Sequence, residues 1–403
     1  YIGGTTMRKR ITALLLTLIM CLALLPAAAL AEAFVVEGGI CDDGLSWVFY
    51  SDGKLVISGS GMMMDYEQEM FNDPTVQSGL NARSSAPWGK YYADIKSAVI
   101  NEGVKSIGKF GLSYCRNLVS VIIPEGLERI EDRAFDDCNS LESIYIPSTV
   151  TYIGDDLTFW LNVSLKSIDV SPDSVSFSSK DGVLFDKAGT TLICCPGGMT
   201  GEYVIPTGVT TIGKGAFGQC NSLTGIVIPY TVTEIGDYAF RFCRALKSVN
   251  IPDGVKSIGT ETFRNCTSLT EIIIPVGVNT IGGYAFYDCT ALKSVEIPAS
   301  VREIGTVAFN GCSALKSASF LGSAPERFGD IVFNTCARVF KIIAPADDAS
   351  WKGDAYDPDK GTWNGYKISF GDDGGNDSGN FFSRMLDSIR EILHNLFSWL
   401  PFC

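Results

Sequence analysis

The chain carries one histidine in 403 residues, His394, close to the C-terminus. Ser-His-Asp and Cys-His catalysis both need a base beside the nucleophile, so neither is open to the body of the chain. There is no C-x-x-C pair, which with a lone histidine leaves no zinc-ligand spacing. No G-x-x-x-x-G-K-[ST] loop is present to cradle a nucleotide phosphate. Asp354, Asp357 and Asp359 precede Gly361, but the calcium loop pattern and its terminal Glu are missing. The acidic pairs Asp42-Asp43, Asp136-Asp137, Asp155-Asp156 and Asp347-Asp348 fall in turn-like stretches and read as solvated surface. Composition alone leaves carboxylate-pair hydrolysis open. Basic residues are also short: 32 Lys+Arg stand against 45 Asp+Glu, a net charge of −13. That balance excludes nucleic acid or an anionic membrane as the main partner, since both need basic patches. No cofactor, metal site or catalytic residue is expected, and the chain reads as a non-enzyme.

Long apolar runs are scarce too. Ile11 to Leu25 is shorter than the ~20 residues a membrane span needs. It follows Met7-Arg8-Lys9-Arg10 and precedes Ala29-Leu30-Ala31. A basic start, an apolar middle and a small-x-small site make a secretion signal. Residues 1–31 therefore read as an upstream remnant plus signal peptide. The mature chain would begin near Glu32, outside the cell or retained on its surface.

What the chain does have is a repeat. One unit reads V-x-x-I-G-x-x-A-F-x-x-C-x-x-L-x-x-V-x-I-P, as in Val232, Ile235, Gly236, Ala239, Phe240, Cys243, Leu246, Val249, Ile251 and Pro252. Cys220, Cys243, Cys266, Cys289 and Cys312 recur every 23 positions. A fixed period in the twenties means a solenoid, because one coil cannot bury its own apolar side. Each L-x-x-V-x-I-P run alternates like a short strand, so stacked coils should build a parallel sheet. The stretch from Gly to Cys should turn the chain, and Phe135, Phe217, Phe240, Phe263, Phe286 and Phe309 should form a core ladder.

The same period bears on the 13 cysteines, which in an exported chain would ordinarily suggest disulfides. Equivalent residues on stacked coils lie ~4.8 Å apart with parallel Cα–Cβ bonds. A disulfide needs Cβ atoms turned toward each other. Cys115, Cys138, Cys220, Cys243, Cys266, Cys289, Cys312 and Cys336 are thus expected as small buried apolar residues. Whether Cys194, Cys195 or Cys403 pair is left open.

Nine coils can be counted, the third having Asn162 where Cys belongs. Residues 32–97 read as a β-rich N-terminal cap with a hairpin about Asp52-Gly53. The solenoid spans 98–370, with a hairpin insertion at 171–201 and an aromatic C-terminal cap from about 320. A flexible linker, 371–380, leads to an amphipathic helix at 381–403. That helix could contact a membrane, an envelope component or a partner. No L-P-x-T-G motif occurs, so covalent wall anchoring is not expected.

The outward strand positions are the candidate ligand-binding residues: Ile122, Tyr145, Asp169, Val227, Asn250, Ile273, Glu296 and Ser319. Exposed apolar residues in such a row can mark an interaction site. They also suit strands for their own sake.

The units resemble the BspA-like, or Treponema-type, bacterial surface leucine-rich repeats, over Ile95 to about Cys336. The motif recurs as Ile228-Pro229, Val232, Ile235-Gly236, Ala239-Phe240, Cys243 and Leu246. The resemblance implies a leucine-rich repeat solenoid on a secreted or surface protein used in adhesion or matrix binding. The family shares no catalytic residues, so none carries over. The expected function is a non-enzymatic scaffold that binds a protein or glycan, such as host matrix or mucin. The alternative is a structural envelope or spacer protein with no specific soluble ligand.

Overall fold

The computed structural model describes residues 32–371 apart from 43, 73–79 and 155–156. The expected signal peptide, linker and C-terminal helix lie outside the described residues, as does the pair Asp155-Asp156. The rest is a β-solenoid of stacked coils. The V-x-I-P runs line one side of the solenoid in four successive sheets whose coil strands pair in parallel, with strands such as Ser120–Ile122, Ser143–Ile146, Ser167–Val170, Ser294–Ile297 and Ser317–Phe320. Tyr145 opposes Asp169, and Glu296 opposes Ser319, so outward residues of adjacent coils stand in register.

A second parallel ladder runs where the sequence suggested only a turn. It is built of two-residue strands at the I-G step, such as Thr211–Ile212, Glu234–Ile235, Thr280–Ile281 and Glu303–Ile304. Two residues are too few to show an alternating pattern, which needs four or more. Glycine follows each of these strands because the coils meet there. A Cβ on Gly282 would stand 2.6 Å from the Gly259 carbonyl carbon.

The third side is a string of turns with left-handed residues that are not glycine, among them Tyr238 (φ 61°) and Phe242 (φ 62°). This backbone is costly for a bulky residue. Here it aims alternate amides at the next coil: Tyr238, Phe240 and Phe242 donate to the carbonyls of Thr260, Thr262 and Arg264 at 2.8–2.9 Å. Those bonds offset the conformational cost, and the regular coils from Gly215 to Gly311 repeat them.

Inside, the rings of Phe217, Phe240, Phe263, Phe286 and Phe309 stack with centroids 4.9–5.3 Å apart. The column continues to Phe333. Each fully buried ring contributes ~1.5–3 kcal/mol relative to exposure. The cysteine ladder is fully buried from Cys115 to Cys312, with Cys336 part-exposed. All described cysteines are free thiols, including Cys194 and Cys195. Their regularity has a polar reason as well. The thiols of Cys243, Cys266, Cys289 and Cys312 each donate to a Phe carbonyl of the preceding coil at 3.1–3.2 Å.

Burial pushes the Cys115 thiol up to about 12, and also raises those of Cys138, Cys243 and Cys266. Unfolded thiols ionise near pH 8.5. A folded value above the unfolded one gives stability that is whole below the unfolded value and is lost as pH climbs through the folded one. Thermal stability should therefore fall as pH rises above about 8.5, toward about 12 for Cys115. Melting curves across that range check it. The Cys243→Ala, Cys266→Ala double variant should show a shallower decline, and an equal slope would contradict the assignment.

The ends are closed differently. Val35–Asp42, Leu45–Tyr50 and Lys54–Gly59 form an antiparallel sheet, whose last strand pairs in parallel with Ser97–Ile100. The head thus supplies the first rung of the solenoid. Trp88 is buried beneath it and donates its indole N–H to Gly111 O at 2.8 Å. At the other end Trp351 is buried against Trp363 and donates to Gly322 O at 3.0 Å.

The segment 171–201 contains Phe177–Lys180 paired antiparallel with Val183–Asp186 about an Asp181-Gly182 turn. Thr191–Cys194 then pairs antiparallel with Val183–Asp186 and parallel with Thr211–Ile212. The hairpin buries Val183, Leu184 and Phe185 in the core, and the strand after it buries Leu192. Asp136 and Asp137 also depart from the expectation of solvated surface. Both are buried in a turn and paired with Arg133 and Arg116. Burial raises the Asp137 carboxyl, opposed by the Arg116 bond.

Candidate recognition face

Side chains alternate across a strand, so on the V-x-I-P ladder the residues flanking the central one face inward and that central residue faces out. Inward go Ile144 and Ile146, Val295 and Ile297, all buried. Outward go the candidate residues. Ile122 and Tyr145, on strands, are 61% and 49% exposed; Ile273, at the equivalent place in a coil whose run forms no strand, is 37% exposed. Asp169 and Glu296 are exposed, whereas Val227 and Ser319 are half-buried.

Asn250 serves the backbone. Its amide donates to Ile228 O at 2.8 Å and its carbonyl accepts from Ile228 N at 3.0 Å. The side chain thereby replaces a strand partner where the ladder narrows to Ser248–Val249. Asp169 accepts from the Ser167 hydroxyl at 2.9 Å.

The strand pairing lapses between Ser120–Ile122 and Ser143–Ile146 and again between Ser248–Val249 and Ser294–Ile297, and after Asp169 an insertion interrupts the row. Beside Ser167–Val170 lies the hairpin instead of a coil strand, with Ile168 N donating to Gly182 O at 2.8 Å. Beyond it the ladder resumes at Thr200–Val204. Val204 opposes Val227 and is 50% exposed, so it belongs to the same outward row. It was missing from the candidates because the cysteine register slips here, Cys195 standing 25 residues before Cys220. The signal that would have found it is Val204-Ile205-Pro206, which matches Val227-Ile228-Pro229.

A second feature of this face also escaped the sequence reading. Two residues before several outward positions, on the same side of the sheet, stands a serine. Ser97 opposes Ser120, Ser143 opposes Ser167, and Ser294 opposes Ser317. The face is therefore a hydroxyl stripe beside a stripe of mixed apolar and acidic side chains. It carries no acid–base pair poised for hydrolysis, and among the described residues no group of three or more His, Cys, Asp or Glu could hold a metal ion. What it can do is contact, through hydroxyls, carboxylates and apolar side chains held on a rigid sheet.

The BspA type leucine rich repeat region matches this chain in six copies, over residues 90–181 and 200–316. The gap between the two stretches falls on the insertion. Among solved structures, the chain is similar to a leucine rich cell surface protein from Faecalibacterium prausnitzii A2-165, at 23% identity and a TM-score of 0.52, covering 73% of this chain and 96% of that one. That likeness shows the same fold. It is also similar to the pneumococcal vaccine antigen PcpA, at 19% identity and a TM-score of 0.45, covering 78% of this chain and 94% of that one. A comparison with curated proteins returned no match. With six repeats matched over more than half its length, the chain belongs to the BspA type leucine rich repeat family.

Proposed function

We propose that this protein is a non-enzymatic recognition scaffold, secreted or displayed on the cell surface, that binds a protein or glycan through the strand face. The observation that carries this reading is the outward row of Ile122, Tyr145, Val204 and Ile273, each more than a third exposed, with a serine two residues before the first two and a glutamate two residues before the others. Apolar groups left in water on one face of a stacked solenoid, beside hydroxyls and carboxylates, are what an interface core and its polar rim require. The signal-like start of the sequence and the cell surface description of the Faecalibacterium prausnitzii relative support placement outside the cell.

The test is a screen of the purified protein against host matrix proteins, mucins and a glycan array. Tyr145→Ala and Ile273→Ala together should weaken the ligand found by about thirtyfold, the effect of losing ~2 kcal/mol of contact. The melting temperature should stay within a degree or two, since both side chains already face solvent. A spacer with no ligand would be indifferent to these changes. Retention on the cell is assigned to 381–403, and deletion of that segment should release the protein into the medium; unchanged cell association would remove that role.

A further inference from the structure

Charge is spread unevenly over the stretch of each coil that leads from the cysteine to the strand. In the coils that begin at Cys243, Cys266, Cys289, Cys312 and Cys336, this stretch carries Arg244, Lys247, Lys293, Lys316, Arg338 and Lys341 against a single carboxylate, Glu271. The next carboxylate along, Glu296, stands three residues beyond Lys293 in the outward row. The net charge of −13 hides this stripe, because no coil supplies more than two of the basic residues. Stacking brings them together. Thr270 N donates to Lys247 O, Lys293 N to Thr270 O, Lys316 N to Lys293 O and Lys341 N to Lys316 O. Lys247, Thr270, Lys293, Lys316 and Lys341 therefore form one row along the solenoid axis, with successive members about 4.8 Å apart.

In the earlier coils the same side is neutralised. Lys166 meets Glu142 at 3.2 Å and Arg116 meets Asp137 at 2.7 Å, each pair joining adjacent coils. Arg244, Lys247, Lys293, Lys316 and Arg338 are exposed, and among the described residues none of them forms an ion pair. Lys293 and Lys316 stand one residue before the paired Ser294 and Ser317. Like charges facing each other on adjacent strands are destabilising, and no carboxylate of the chain offsets this pair. Hydroxyls border the row, Ser248, Ser294 and Ser317 on the strand side and Thr290 and Ser313 on the other. Between cysteine and strand, the coils that begin at Cys243, Cys266, Cys289 and Cys312 carry no aromatic residue.

We propose that this row binds an acidic polysaccharide laid along the solenoid axis. Its carboxylate or sulfate groups meet the lysines, and its hydroxyls meet the serines and threonines beside them. Charge complementarity selects a polyanion, since ammonium groups make their stronger hydrogen bonds to anions. Spacing selects an extended chain: Lys247 and Lys293 are two coils, about 10 Å, apart, and acidic groups on alternate sugars recur at a comparable distance. A nucleic acid strand would need rings on which its bases could stack, and the row has none. An acidic peptide would bring carboxylates but few hydroxyls to match those bordering the row. The proposal rests on the reading of the strand side as a recognition surface, and it names the ligand class for the C-terminal half of that side.

The test uses the full chain with hyaluronan, heparin, dextran and poly-glutamate as probes, read by calorimetry at physiological ionic strength. Hyaluronan carries carboxylates alone, heparin carries sulfates as well, and dextran is neutral. At least one acidic polysaccharide should bind saturably, more weakly as salt is raised, and dextran should not bind. Binding of hyaluronan assigns carboxylate as sufficient, and binding of heparin alone assigns sulfate. Lys293→Gln and Lys316→Gln together should weaken binding about thirtyfold, through loss of two charge-assisted contacts. Their melting temperature should hold or rise as the like-charge pair is relieved. Glu271→Gln should tighten binding. Lys166→Gln, whose lysine is already paired with Glu142, should leave it unchanged. No saturable binding of either acidic polysaccharide would overturn the inference, as would equal losses from Lys166→Gln and from the Lys293 and Lys316 changes. Tighter binding of poly-glutamate than of either polysaccharide would overturn the glycan and make the row a site for acidic peptide. Each of these failures leaves the strand-face reading standing, since that reading fails only if Tyr145→Ala and Ile273→Ala are without effect on its ligand.

Discussion

Phe263→Ala should cost the solenoid about 3–5 kcal/mol, among the largest effects of any single truncation in the repeat. Phe263 is fully buried, with ring centroids 5.1 Å from Phe240 and 5.3 Å from Phe286. Removing the ring breaks two stacks and opens a void that neighbouring coils cannot close. Their spacing is fixed by ladder bonds such as Phe240 N to Thr262 O and Phe263 N to Ala285 O. In a stacked array the damage should stay near the missing ring, since each coil contacts only its neighbours. Urea denaturation gives the magnitude. Hydrogen exchange should show amides around Cys243 to Cys289 losing protection first. A loss below 1 kcal/mol, or uniform loosening along the chain, would contradict the column as the principal support.

Gly305→Ala should be nearly as damaging although it adds only a methyl group. The new Cβ would lie 2.4 Å from Gly283 N and 2.7 Å from the Gly282 carbonyl carbon, both of them backbone. No side chain can swing away, so adjacent coils must separate, and the bond from Gly305 N to Ile281 O at 2.7 Å is strained with them. Overpacking of this kind costs roughly 1–3 kcal/mol. Gly353→Ala is the control. Its Cβ would meet nothing closer than 3.6 Å, and its φ of −76° suits alanine. That change should stay within about 0.5 kcal/mol. Comparable losses at the two positions would show that close coil contact is not what glycine provides at the I-G step.

The sequence exposed the parts of this fold that repeat with strong chemistry. Phe240 and Cys243 are legible because burial demands an apolar residue at those places in the regular coils, where the 23-residue spacing carries through. The second ladder at Glu234–Ile235 was not legible, because a two-residue strand leaves no alternation. Nor were the turns at Tyr238 and Phe242, since left-handed backbone there carries none of the glycine or asparagine that usually marks it. Asp136 and Asp137 looked like surface because their charge is compensated by Arg133 and Arg116, a pairing visible only once the coils are stacked. On the candidate face, the exposure of Ile122 and Tyr145 follows directly from strand alternation, whereas Ile273 is exposed in a coil whose run forms no strand. Val204 was lost where the cysteine register slips. The backbone role of Asn250 appears only with its two bonds to Ile228.

The central claim is that ligand lies on the strand face, and hydroxyl-radical footprinting of the complex tests it most directly. With saturating ligand from the screen, Tyr145, Ile122, Val204 and Ile273 should be protected. Tyr284 and Tyr230, both exposed outside the candidate row, should react as in the free protein. Protection confined to Tyr284 and the turn side, with Tyr145 and Ile273 as reactive as before, would contradict the account.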